Sequence, residues 1–161
     1  MKRLLIVFHS RTGGTRQMAE AAARGAAPEA ELRLLPAMEA GPEDLLSADG
    51  YLFAAPENLA AISGPMKDFF DRCYYPVLER LNGRPYALLV CAGSDGTNAA
   101  RQMARIATGW RLREVAAPLI LCTHAQTPGA ILAPKTIPPE DLRRCEELGA
   151  ALAAGLAMGI F

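Results

Sequence analysis

The residues best suited to chemistry follow the first apolar run of the chain: Ser10-Arg11-Thr12-Gly13-Gly14-Thr15. They offer three hydroxyls and a series of backbone N–H groups at the start of a helical pattern. A helix N-terminus carries about +0.5 charge equivalent, so such a loop suits a terminal phosphate without a lysine. The stretch is not GxGxxG, because only Gly13 and Gly14 are glycines, and it is not GxxxxGK[ST]. A plain Gly-Gly turn with Thr15 as helix cap is the competing reading. Arg11 and Arg16 either assist the phosphate or are solvated. His9 precedes the loop and is expected to orient it. Cys91 and His124 fall near the ends of later apolar runs. Buried packing is the expectation for the cysteine and a structural role for the histidine.

Two look-alike chemistries fail on single residues. A Cys-x5-Arg phosphatase loop starting at Cys91 would need arginine at position 97, which is threonine. A receiver domain would need an aspartate at the end of the third apolar run, which reads Ala54-Ala55-Pro56. Cys73, Cys91, Cys122 and Cys145 form no CxxC and match no zinc spacing. They are read as reduced thiols of a cytoplasmic protein.

These residues need elements to position them. Arg3–Phe8 is apolar without alternation after its basic start, as in a strand covered on both faces. A helix is expected over Thr15–Ala27, with Met18, Ala19, Ala22 and Ala26 inward. Strands are expected at Glu31–Leu35 and Gly50–Ala55, separated by a short helix or turn at Gly41-Pro42-Glu43-Asp44. Ser63 opens the next helix, whose apolar spacing runs to Leu81 with an interruption at Pro76. Pro85–Ala92 is the fourth strand, Thr97–Gly109 a helix and Glu114–Cys122 the fifth strand. His124–Pro138 reads as a long loop and Pro139–Met158 as the final helix. The alternation implies an α/β three-layer, doubly wound domain with a five-stranded parallel sheet, in the flavodoxin-like order 2-1-3-4-5. The loops at His9–Thr15, Pro56–Ser63, Gly93–Gly96 and Thr123–Pro138 then share the carboxyl edge.

Composition narrows the function. The 161 residues fit one domain, 1–161. A hydrophobic share of 51% with 21% charged residues excludes disorder. Seventeen basic against 17 acidic residues, with no long basic run, argue against a dedicated nucleic-acid binder. The apolar start is shorter than the roughly 7–15 residues of a signal peptide. The apolar end, Leu148–Phe161, is shorter than the roughly 20 residues of a membrane span.

Ile6 to Thr15, with Ala19 following, resembles the FMN-phosphate loop of the flavodoxin family. It departs at Ala22, where a larger aliphatic residue is usual. Ala55-Pro56-Glu57-Asn58-Leu59, followed by Ile62 to Arg72, is similar to the second flavin loop of NADPH-dependent FMN reductases and related quinone reductases. Ala92-Gly93-Ser94-Asp95-Gly96-Thr97 is similar to the loop that holds the pyrimidine edge of the ring. The resemblance implies non-covalent FMN, held by Ser10 to Thr15, Pro56 to Leu59 and Ala92 to Gly96. Glu57 could contribute through its backbone alone, and Asp95 could be only a turn residue. Leu59 stands where many relatives place an aromatic residue beside the ring.

The resulting expectation is an NAD(P)H-dependent reductase of flavins, quinones or similar small acceptors, in which the cofactor carries the hydride chemistry. The alternative is an electron carrier serving a redox protein. A carrier usually shows an acidic face, which the balanced charge does not favour. A ligand-sensing module is a third class with no specific support. Homo-oligomerisation is left open.

Overall fold

Strand β1 (Arg3–Phe8) is buried from Leu4 onward, and its side chains alternate between two cores. Leu5 and Val7 face one core, while Leu4, Ile6 and Phe8 face the other. The continuous apolar run follows from that double coverage. The computed structural model describes residues 1–161. After β1 come α1 (Gly14–Ala26), β2 (Glu31–Pro36), α2 (Pro42–Ser47), β3 (Gly50–Asn58), β4 (Ala61–Ile62) and α3 (Gly64–Cys73). The chain continues with β5 (Pro85–Ala92), α4 (Thr97–Gly109), β6 (Arg113–Glu114), β7 (Leu119–Cys122), α5 (Pro128–Leu132) and α6 (Pro139–Met158).

The parallel sheet runs β2-β1-β3-β5, and β6 and β7 share the outer edge of β5. This is the expected order 2-1-3-4-5 with its last strand in two pieces. Pairings such as Val7 with Leu35 and Phe53, and Leu89 with Leu119, fix the register. One face packs on α3 and α4 around Phe53, whose ring lies 5.3 Å from Phe70 and 6.4 Å from Trp110. The other face packs on α1 and α6 through Met18, Ala22, Cys145 and Leu152. There the two helices meet backbone to backbone. A methyl group on Gly149 would collide with the Ala22 carbonyl, and one on Gly25 with the Glu146 carbonyl. No helix is long and apolar enough to cross a membrane.

Local structure departs from expectation in places that have physical reasons. The fifth strand breaks between Glu114 and Leu119, where Val115 to Pro118 bulge out opposite only Ala87 and Leu88 of β5; Pro118 has no N–H for the ladder, and an edge strand tolerates the gap. The interruption expected at Pro76 is a full stop: α3 ends at Cys73, since the proline ring would clash with a helical carbonyl. Val77 and Leu81 are still fully buried, carried by turns rather than by helix. Helix α1 starts at Gly14 with Gly13 as its cap residue, so Thr15 is not the cap. The expected loop after Ala55 is instead a hairpin of β3 with β4, and the loop after His124 contains α5.

Candidate functional site

The carboxyl ends of β1, β3, β5 and β7 gather the four expected loops around a cleft. In the first loop Gly13 takes φ +97°, a left-handed conformation open to glycine, and its N–H donates to Ser10 Oγ at 3.1 Å. The α1 ladder begins with Gln17 N–H donating to the Gly13 carbonyl at 3.1 Å. The amides of Gly14, Thr15 and Arg16 precede that bond and have no partner in the helix. The amides of Ser10, Arg11 and Thr12 likewise donate to no protein acceptor. Free donors gathered at a helix N-terminus can receive an anion. Gly14 lies against Cys91, since a side chain there would press on the Cys91 sulfur.

The second loop is a two-residue hairpin. Glu57 pairs with Ile62 and Asn58 with Ala61, which leaves Leu59 and Ala60 at the tip with φ +51° and +61°. Helix α4 holds it in place. Asn98 Nδ2 donates to the Ala60 carbonyl at 2.5 Å, and Ile62 N–H donates to Gln102 Oε1 at 2.9 Å. The Glu57 carboxylate accepts from Gly96 N–H at 2.9 Å and Ala99 N–H at 3.2 Å. Its charge therefore caps α4 and ties the second loop to the third. Leu59 is fully exposed.

In the third loop Asp95 accepts from both the hydroxyl and the amide of Thr97, which holds its carboxyl below the usual range. The fourth segment crosses back over the first loop. Lys135 N–H donates to the Thr12 carbonyl at 2.8 Å. Gln17 donates to the Gly13 and Lys135 carbonyls at 3.0 and 2.7 Å and accepts from Ile137 N–H at 3.0 Å.

Two adjoining cavities result. The inner one, of about 70 Å³, is lined by Ser10, Arg11, Thr12, Gly14, Thr15, Pro56, Glu57, Asn58, Cys91, Ala92, Gly93 and Lys135, among others. The outer one, of about 340 Å³, adds Leu59, Ala60, Ser94, Gln126 and Leu132. The inner cavity has the volume of about two waters at about 30 Å³ each. The outer reaches the lower end of ligand pockets, about 300 Å³.

Of the residues singled out from the sequence, Gly13, Asp95 and Gly96 line neither cavity. They shape the loops instead: Gly13 and Gly96 take positive φ ahead of α1 and α4, and Asp95 closes a turn. His124 also lines neither; its N–H donates to the Gly93 carbonyl at 2.8 Å. His9 Nδ1 shares a 2.8 Å hydrogen bond with the buried Ser63 hydroxyl, linking the first loop to the start of α3. Burial, then the Arg11 charge, lowers its pKa. Burial pushes the Cys91 thiol up to about 11, and the Lys135 ammonium opposes that rise. The thiol is therefore protonated at neutral pH and is no nucleophile. Ile131, Lys135, Ala125 and Thr123 were not individually foreseen. They sit on the segment after β7, Ile131 on the short α5 and the others on irregular backbone, and only the segment's place at the carboxyl edge was legible.

The chain resembles known proteins in sequence and in fold. It is 39% identical over 97 residues to a flavodoxin of Aquifex aeolicus, covering 59% of this chain and 50% of that protein. It is 33% identical over 94 residues to an NAD(P)H dehydrogenase (quinone) of Acidithiobacillus ferrooxidans, covering 45% and 47% respectively. The chain thus spans about half the length of the curated relatives it matches. The structure of a flavodoxin from the domain Archaea superposes with a TM-score of 0.74 over 96% of this chain and 98% of that one. At 18% identity that likeness concerns the fold alone. The family model described as NADPH-dependent FMN reductase matches residues 33–126, more than half of the sequence. On that match, the chain belongs to the NADPH-dependent FMN reductase family, built on a flavodoxin-like fold.

Proposed function

We propose that residues 1–161 form one domain that holds FMN non-covalently and uses NAD(P)H to reduce a flavin, a quinone or a similar small acceptor. The observation that carries this reading is the set of free amides of Ser10, Arg11, Thr12, Gly14, Thr15 and Arg16, beside the Ser10 and Thr12 hydroxyls, at the narrow end of the cleft. A phosphate suits the narrow end, and a flat ring suits the wider one. Gly93 permits close backbone approach there. Leu59, Ile131 and Leu132 give the wide end aliphatic walls.

Bound FMN would supply the hydride chemistry. The chain's own part is to bind, orient and cover. The loop amides neutralise the phosphate charge. Glu57 is committed to α4, so it offers the cleft its backbone rather than its carboxylate. The exposed Leu59 leaves one side of the cleft uncovered by any aromatic ring. Nicotinamide and acceptor can then take turns at the same face.

The Aquifex relative, a flavodoxin, favours a second reading as an electron carrier. The balanced charge of 17 against 17 weighs against it, because carriers steer partners with strong fields. Anaerobic addition of NADPH or NADH to the FMN-loaded protein separates the two. Prompt loss of the oxidised flavin absorbance supports the reductase. An oxidised spectrum that persists until a partner reductase is added overturns it in favour of the carrier. Failure to take up FMN overturns both.

A further inference from the structure

We infer that Lys135, reaching back from the segment after α5, is a phosphate-reading residue of the cleft and makes it select FMN over riboflavin. The inference rests on the FMN reading above. The first loop has no lysine of its own, and Lys135 comes from more than a hundred residues downstream. The fold nevertheless brings its ammonium to 3.4 Å from Thr12 Oγ1, on the wall of the inner cavity.

The bonding of that ammonium is incomplete. Nζ has three protons to donate. Two are well placed, on the Ile131 and Ala133 carbonyls at 2.8 and 2.6 Å. The third has only the long contact to Thr12. No carboxylate lies within ion-pair distance of Lys135, although eight other ion pairs form in the protein. The one acidic residue lining the inner cavity, Glu57, is occupied with the α4 amides.

The backbone around Lys135 is held independently of this side chain. Its N–H bonds Thr12 and its carbonyl accepts from Gln17, which also bonds Gly13 and Ile137. An uncompensated positive charge is thus kept at the narrow end, next to amides that already favour an anion. A phosphate there would complete both, whereas a free hydroxymethyl end would use neither.

Titration of FMN and riboflavin, followed by flavin fluorescence, tests this in wild type, Lys135→Met and Lys135→Arg. Wild type is expected to prefer FMN. The Met variant should lose about tenfold in FMN affinity and leave riboflavin unchanged, the low end for a hydrogen bond to a charged group because the side chain is only half buried. The Arg variant should retain the preference. Unchanged FMN affinity in the Met variant overturns the inference. Equal weakening of both flavins overturns it too, since the lysine would then shape the cleft rather than read the phosphate. Wild type that binds neither flavin refutes the underlying FMN reading, and the inference with it. If Lys135→Met does not fold, Lys135→Gln keeps a donor for the two carbonyls and reads the same ratio.

Discussion

The hairpin at the mouth of the cleft makes a sharp stability prediction. Its two tip residues, Leu59 and Ala60, both have positive φ, and neither is glycine. A two-residue loop of this kind normally takes Asn-Gly or similar. Each L-residue with a side chain costs roughly 1–2 kcal/mol in the left-handed region. That cost is offset by the bonds from Asn98 to the Ala60 carbonyl and from Ile62 N–H to Gln102. Ala60→Gly keeps both bonds and removes the strain at one position. Glycine also gives the unfolded chain more freedom, which takes back about 0.4–1 kcal/mol. The net gain lies between about 0 and 1.6 kcal/mol with a central value of about 0.8 kcal/mol, or a rise in Tm of about 2–3 °C for a chain of this size. Reversible urea denaturation followed by far-UV circular dichroism measures it. Ala61→Gly serves as control, since Ala61 has ordinary extended backbone in β4 and should lose about 0.5–1 kcal/mol. If Ala60→Gly is no more stable than wild type, the account of a strained hairpin clamped by α4 is wrong.

Other expectations follow from the same geometry. Glu57→Ala removes the carboxylate that caps α4 and should cost about 1–2 kcal/mol in urea denaturation. Gly149→Ala would ordinarily help a helix by up to about 1 kcal/mol. Here the added methyl meets the Ala22 carbonyl, so a net loss of about 1–3 kcal/mol is expected, seen as a lower urea midpoint. His9 has a pKa lowered from its ordinary value of 6.5, so the unfolded chain binds more protons below that pH. Its contribution is present above pH 6.5 and is lost as pH falls through the lower folded value. His9→Gln should flatten the slope of stability against pH in that window.

Much of the fold was legible because its signals are local. The unbroken apolar runs at Leu4–Phe8 and Pro85–Ala92 mark strands covered on both sides, and small residues at Ala19, Ala22 and Ala26 mark a helix packed close. The Ser10–Thr15 loop was legible because hydroxyls, glycines and a helix start coincide there. What stayed hidden depends on distant partners. Pro76 marks the interruption of the helix, but not the turns that keep Val77 and Leu81 buried beyond it. Leu59 and Ala60 carry no turn signature, because Asn98 and Gln102 impose the hairpin from another element. Lys135 has no local pattern at all, and only the crossing of its segment over Thr12 and Gly13 brings it to the cleft.

The central claim is that the free amides of the first loop receive the phosphate of FMN. Two-dimensional amide NMR spectra of the protein with and without FMN test it most directly. The account predicts that the amides of Ser10, Arg11, Thr12, Gly14, Thr15 and Arg16 move most, together with those of Gly93 and Ser94. Resonances of that loop that stay fixed while others respond, such as those of the groove at Ile62, Gln102 and Arg105, would contradict it.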